Sequence, residues 1–84
     1  MAIKLNPNDA KAYIDRGRIY YVEQKYDAAV SDYSVAIRLG KDLEYAYFGR
    51  ALAYDRLRRT DKADEDYAAA HHTRPNTDPF ASVP

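Results

Sequence analysis

Ala12-Tyr13-Ile14-Asp15-Arg16-Gly17-Arg18-Ile19-Tyr20 returns 34 residues later as Ala46-Tyr47-Phe48-Gly49-Arg50-Ala51-Leu52-Ala53-Tyr54. In the same register Asp27, Ala29, Asp32, Tyr33 and Ala36 meet Asp61, Ala63, Asp66, Tyr67 and Ala70, so nine positions of a 34-residue unit recur. A fixed period of a few tens of residues marks a repeat architecture, in which one supersecondary unit stacks on the next. Tyr13, Arg16 and Tyr20 stand at helical spacing, and so do Ala29, Tyr33 and Ala36. That periodicity predicts two amphipathic helices per copy. The unit reads as a helical hairpin.

The composition agrees with an all-α chain. Glycine and proline, 3 and 4 among 84 residues, are scarce and placed at joints, while alanine, tyrosine and charged residues dominate. Thirteen basic and 13 acidic side chains cancel, so no net field draws in nucleic acid, a membrane or an acidic partner. The lack of cysteine excludes disulfides, thiolate metal sites and a cysteine nucleophile. The opening Met1-Ala2-Ile3-Lys4-Leu5-Asn6-Pro7 is too short an apolar run for a signal peptide, and nothing approaches a membrane span. The compartment is left open, with the cytoplasm as the default. At this length the chain is one domain, near the lower end of what a single core stabilises.

Taken in order, residues 1–9 read as the remnant of a preceding repeat, since Ala2-Ile3-Lys4-Leu5 matches Ala36-Ile37-Arg38-Leu39. Ala2–Leu5 is expected to be the last turn of a helix whose beginning is missing, as in a chain cut from a longer array. The first full helix is expected to start after Asn8 or Asp9, both good N-caps, and to run to about Glu23. Gln24-Lys25-Tyr26 turns, Asp27 opens a second helix ending near Leu39, and Gly40 suits the left-handed position that stops it. Asp42 should cap a third helix to about Leu57; Thr60 or Asp61 should cap a fourth to about His72. The copies are then residues 10–43 and 44–77, with an irregular tail at 78–84 in which Phe80 is the candidate anchor. Where copy one has Val30, Ile37 and Leu39, copy two has Asp64, His71 and Thr73. These polar replacements predict that the fourth helix is the solvent-facing end of the array, with the C-terminus near Pro84.

These residues resemble a tetratricopeptide repeat (TPR), whose 34-residue helix–turn–helix unit carries aromatic, small, tyrosine, alanine, aromatic, alanine and proline positions in fixed order. Tyr13, Gly17, Tyr20, Ala29, Tyr33 and Ala36 occupy them in copy one, and Tyr47, Ala51, Tyr54, Ala63, Tyr67, Ala70 and Pro75 in copy two. The resemblance covers residues 2–77 and implies a right-handed α-solenoid of antiparallel hairpins. Two departures stand out: Lys41 holds copy one's proline position, and Arg16 and Arg50 hold a leucine position. Such an arginine is expected to lay its stem across the hairpin and keep its head at the surface. The small residues are expected to let helix axes approach, and most of the nine tyrosines to fill the core.

In TPR arrays the first helices of successive repeats line a concave groove that holds partner peptides. The resemblance therefore assigns Lys11, Ile14, Asp15, Arg18, Tyr21 and Val22 to the groove side of copy one. Copy two offers Tyr45, Phe48, Gly49, Leu52, Asp55 and Arg56. Ile14, Phe48 and Leu52 lie off the tyrosine stripe, so their exposure makes an apolar patch with charged margins, the mark of a binding surface; burial by neighbouring helices is the competing reading. Mid-helix Gly49 disfavours the helix by about 1 kcal/mol against alanine, which close approach of another backbone would explain. The subclass that grips a C-terminal carboxylate is a poor fit, because its positions here hold Ile14, Arg18 and Gly49, of which only Arg18 can contribute. The implied partner is a protein or peptide with apolar anchors.

Other constellations carry little chemistry. Adjacent His71 and His72 point apart on a helix and cannot chelate as an i, i+4 pair. Asp64-Glu65-Asp66 near a helix start and Arg56, Arg58 and Arg59 at a helix end suit the helix dipole. No phosphate loop, paired catalytic carboxylates or supported serine–histidine arrangement is found. The sequence thus predicts no enzyme, no cofactor and no metal site. Two copies fall short of the roughly three repeats that close a continuous core. Apolar surface around Ala12, Ile19 and Tyr20 therefore also predicts a homodimer, or hairpin exchange between chains.

Overall fold

In a computed structural model residues 7–73 are described, and all of their regular structure is α-helical. The helices are α1 (Ala10–Val22), α2 (Tyr26–Leu39), α3 (Leu43–Arg56) and α4 (Thr60–Thr73). The expectations for residues 1–6, Pro75 and the tail at 78–84 lie outside the described residues. No described helix is long and apolar enough to cross a membrane.

Helix ends follow local chemistry, with three corrections. Asp9 caps α1, its carboxylate accepting from the backbone N–H of Lys11 at 3.1 Å and Ala12 at 3.4 Å. Gly40, at φ 74°, stops α2 in the left-handed region. By contrast, α2 begins at Tyr26 rather than Asp27, behind Lys25, which makes no side-chain cap bond. Asp42 precedes α3 as expected but sits at φ 52° with no capping bond. Thr60 lies inside α4 rather than ahead of it. In their place, the backbone of the two hairpin turns repeats. Gln24 (φ 65°) and Arg58 (φ 61°) are left-handed, and the next N–H closes the turn, from Lys25 to the Tyr20 carbonyl at 2.8 Å and from Arg59 to that of Tyr54 at 2.9 Å.

Contacts symmetric about these turns make each helix pair antiparallel. Arg16 meets Asp32 across the turn at Gln24, and Arg50 meets Asp66 across the turn at Arg58. α3 packs in turn against α2, and touches α1 as well.

The centre is built from small side chains. Ala29, Ala36, Ala46, Ala51, Ala53 and Ala63 are fully buried, so helix axes can approach closely. Of the nine tyrosines only Tyr33 is buried; Tyr45 is exposed and the rest are half-buried, with Tyr13, Tyr20 and Tyr21 packed against the alanine core. The expectation of a tyrosine core is thus corrected to an alanine core that tyrosines cover. The reason is size: a ring at the rim shields several alanines while its hydroxyl stays hydrated.

The arginine heads are also corrected. Arg16 Nε and Nη2 donate to Asp32 at 2.7 and 2.8 Å, and Arg50 Nε and Nη2 donate to Asp66 at the same two distances. Asp32 and Asp66 are only 3% and 4% exposed, so each hairpin is clasped by a two-pronged ion pair between its helices. Tyrosine rings flank the guanidinium groups: Arg16 lies 5.5 Å from the Tyr20 centroid, and Arg50 5.7 and 5.8 Å from those of Tyr47 and Tyr54. Bonding to the carboxylates holds both arginines above their ordinary pKa. Asp66 is therefore a clasp residue rather than only a dipole partner.

Candidate functional site

α1 and α3 wall a groove of about 690 Å³ whose floor is Tyr33 of α2. Its lining includes Lys11, Ile14, Asp15 and Arg18 from α1, and Tyr45, Phe48, Gly49 and Leu52 from α3. These eight line one recess, but not on equal terms. Tyr45 and Phe48 are 68% and 49% exposed and form the open wall, Leu52 is half-buried, and Ile14 at 7% is buried. The expected exposure of Ile14 is therefore corrected, since this side chain joins the hydrophobic core beneath the groove.

Gly49 is buried as well, and its neighbour is a side chain rather than the backbone the sequence suggested. A β-carbon there would lie 2.5 Å from Tyr33 Cζ and 2.9 Å from its hydroxyl oxygen. On the opposite side, a β-carbon on Gly17 would lie 3.1 Å from the same Cζ. The Tyr33 ring is thus wedged between two glycines, Gly17 of α1 and Gly49 of α3. Burial pushes its phenol up to about 12.

The chain, compared with known proteins, matches no family model, no curated protein and no solved structure.

The other assigned residues lie elsewhere. Arg56 Nε donates to the Tyr21 hydroxyl at 3.1 Å, bridging α3 to α1, and Tyr21 meets Tyr26 edge-on at 5.4 Å. Asp55 accepts from the Tyr67 hydroxyl at 2.7 Å, and burial together with that bond pushes the Tyr67 phenol up to about 12. Tyr21, Asp55 and Arg56 thus serve as ties between helices and do not line the groove. Val22, 80% exposed, borders a separate shallow dent with Asp15, Arg18, Ile19 and Glu23.

Two lining residues escaped the sequence reading, Tyr33 and Asp42. Tyr33 counted as packing and Asp42 as a cap. The available signal was Gly49, whose missing side chain lets the ring of the preceding hairpin reach the groove. Phe48 forms a ridge, meeting Tyr67 edge-on at 5.7 Å and bordering a second, smaller groove over α4 with Glu44, Tyr45, Tyr67, Ala70 and His71.

Proposed function

We propose that the chain is a protein-interaction module of the TPR class, a short right-handed solenoid that holds a partner segment in the groove between α1 and α3. One observation carries this reading: half-exposed Phe48 and exposed Tyr45 stand over a concave floor, with charges at its margins. An exposed aromatic wall beside a recess is what a partner's apolar anchors require. The 34-residue repeat of both clasp and turn supports the solenoid. The reading assigns no enzymatic role, cofactor, nucleic acid or membrane partner.

The test is selection of peptides from a random display library on the purified protein, followed by Phe48→Ser and Leu52→Ser. Peptide capture falls at least tenfold in Phe48→Ser, the loss of a central aromatic anchor, while helicity and melting stay near wild type. Capture that survives both substitutions, or that disappears only because the fold is lost, would end the proposal.

Self-association is a second reading, favoured by Val22 at 80% exposure beside half-buried Ile19, in a dent that Asp15, Arg18 and Glu23 also border. A homodimer or a hairpin exchange would cover this surface. Sedimentation should then show assembly that Val22→Ser weakens; a lone monomer at high micromolar concentration would exclude it.

A further inference from the structure

Tyr33 is 3% exposed, yet its hydroxyl has no hydrogen-bond partner among the described residues. No enclosed polar side-chain atom lacks a partner in the described structure, so this hydroxyl keeps some exposure to solvent, and Tyr33 lines the groove. Gly49 leaves the hydroxyl room, because a β-carbon there would sit 2.9 Å from its oxygen. Arg18 lines the same groove, and its positive charge acts on the Tyr33 phenol more strongly than the opposing negative charge of Asp32. Arg18 is exposed and makes no ion pair or hydrogen bond among the described residues. Lys11, the other cation of the groove, is within 4.0 Å of Asp15, which partly neutralises both; Asp42 stands on the opposite wall near the start of α3.

We infer that the Tyr33 hydroxyl and Arg18 form an anion subsite for an aspartate or glutamate side chain of the bound segment, with Phe48 and Leu52 taking an adjacent apolar residue. A buried phenol that donates and a guanidinium with no partner among the described residues, both lining the groove, are both donors, so the complementary group is an acceptor carrying negative charge. The hydroxyl lies beside Gly49, a residue of the groove lining. One carboxylate can accept from both donors, and a side chain presents one without a chain end. The inference rests on the groove reading and gives that reading a partner chemistry.

Peptides selected on the groove, acetylated and amidated, are compared as Glu/Gln pairs at each acidic position by fluorescence titration. Wild type should prefer one glutamate over glutamine by about tenfold, the worth of a charge-assisted bond. Arg18→Gln should abolish the preference, and Tyr33→Phe should cut it roughly fivefold. Tyr33→Phe keeps the ring in its glycine slot, and Arg18 is at the surface, so neither change disturbs the fold that circular dichroism reads. Phe48-dependent capture with equal affinity for Glu and Gln would overturn the subsite and leave the groove reading standing. A preference for a free C-terminal carboxylate would overturn the side-chain assignment. Absence of Phe48-dependent capture would overturn both.

Discussion

The two hairpins carry the same tyrosine at the same register and use it differently. Tyr33 is buried between Gly17 and Gly49, while its counterpart Tyr67 is half-buried, with Phe48 against its ring and Asp55 accepting from its hydroxyl. The clasps beneath them, Arg16–Asp32 and Arg50–Asp66, match to within 0.1 Å in both bonds. What differs is the neighbour. α3 covers the first hairpin, and among the described helices nothing covers the second in that way. The clasp is thus a property of the hairpin, whereas burial of the ring is a property of the stack.

The sharpest way to break the comparison is to remove a clasp. Arg16→Ala and Arg50→Ala each strand a buried carboxylate, at a cost of about 3–5 kcal/mol, a large share of the stability of a domain this small. Arg50 also donates to Ser34 Oγ at 3.0 Å, a bond from α3 back to α2 with no counterpart at Arg16 among the described residues. Chemical denaturation should therefore find Arg50→Ala the more damaging. Equal losses would mean that the bond between hairpins contributes nothing.

Next in size is an alkaline effect seated in Tyr33. Its phenol, raised to about 12 by burial, keeps its proton in the folded chain where an ordinary tyrosine near 10 has lost it when unfolded. The unfolded state then binds fewer protons, so stability is full below pH 10 and is lost as pH rises toward 12, by roughly 2–3 kcal/mol at most. Urea melts at rising pH should show this loss blunted in Tyr33→Phe. Tyr67→Phe should blunt it less, because the more exposed ring is better screened by solvent. The reverse order would deny that covering by α3 sets the difference.

The smallest expected effect separates the two glycines. Gly49→Ala places a carbon 2.5 Å from the Tyr33 ring, against 3.1 Å for Gly17→Ala. Overpacking of about 1–3 kcal/mol should exceed the helix propensity gained at Gly49, about 1 kcal/mol. At Gly17 the two effects should nearly cancel; copy two already carries Ala51 at that register. A stabilised Gly49→Ala variant in thermal melts would show that the ring gives way.

Periodicity, caps and turn residues were legible because they are local. The spacing of Tyr13, Arg16 and Tyr20 announced a helix, Asp9 began it, and Gly40 ended the next one. Even the clasp left a trace, since Arg16 and Asp32 recur together as Arg50 and Asp66, equidistant from their turns. It went unread because a lone charge pattern does not say which charges leave water. Eight of the residues that the resemblance assigned to the groove side line one recess, and the fate of each depended on what lay across from it. Ile14 and Phe48 share a register, yet one is buried and the other half-exposed. The chain by itself determined four helices and their ends to within a residue or two. Only the packing of one hairpin on the next decided that Tyr33 is the floor of that groove and Gly49 its opening. Hydrogen bonds within a helix are settled over four residues, whereas burial is settled by whichever surface arrives from elsewhere in the chain.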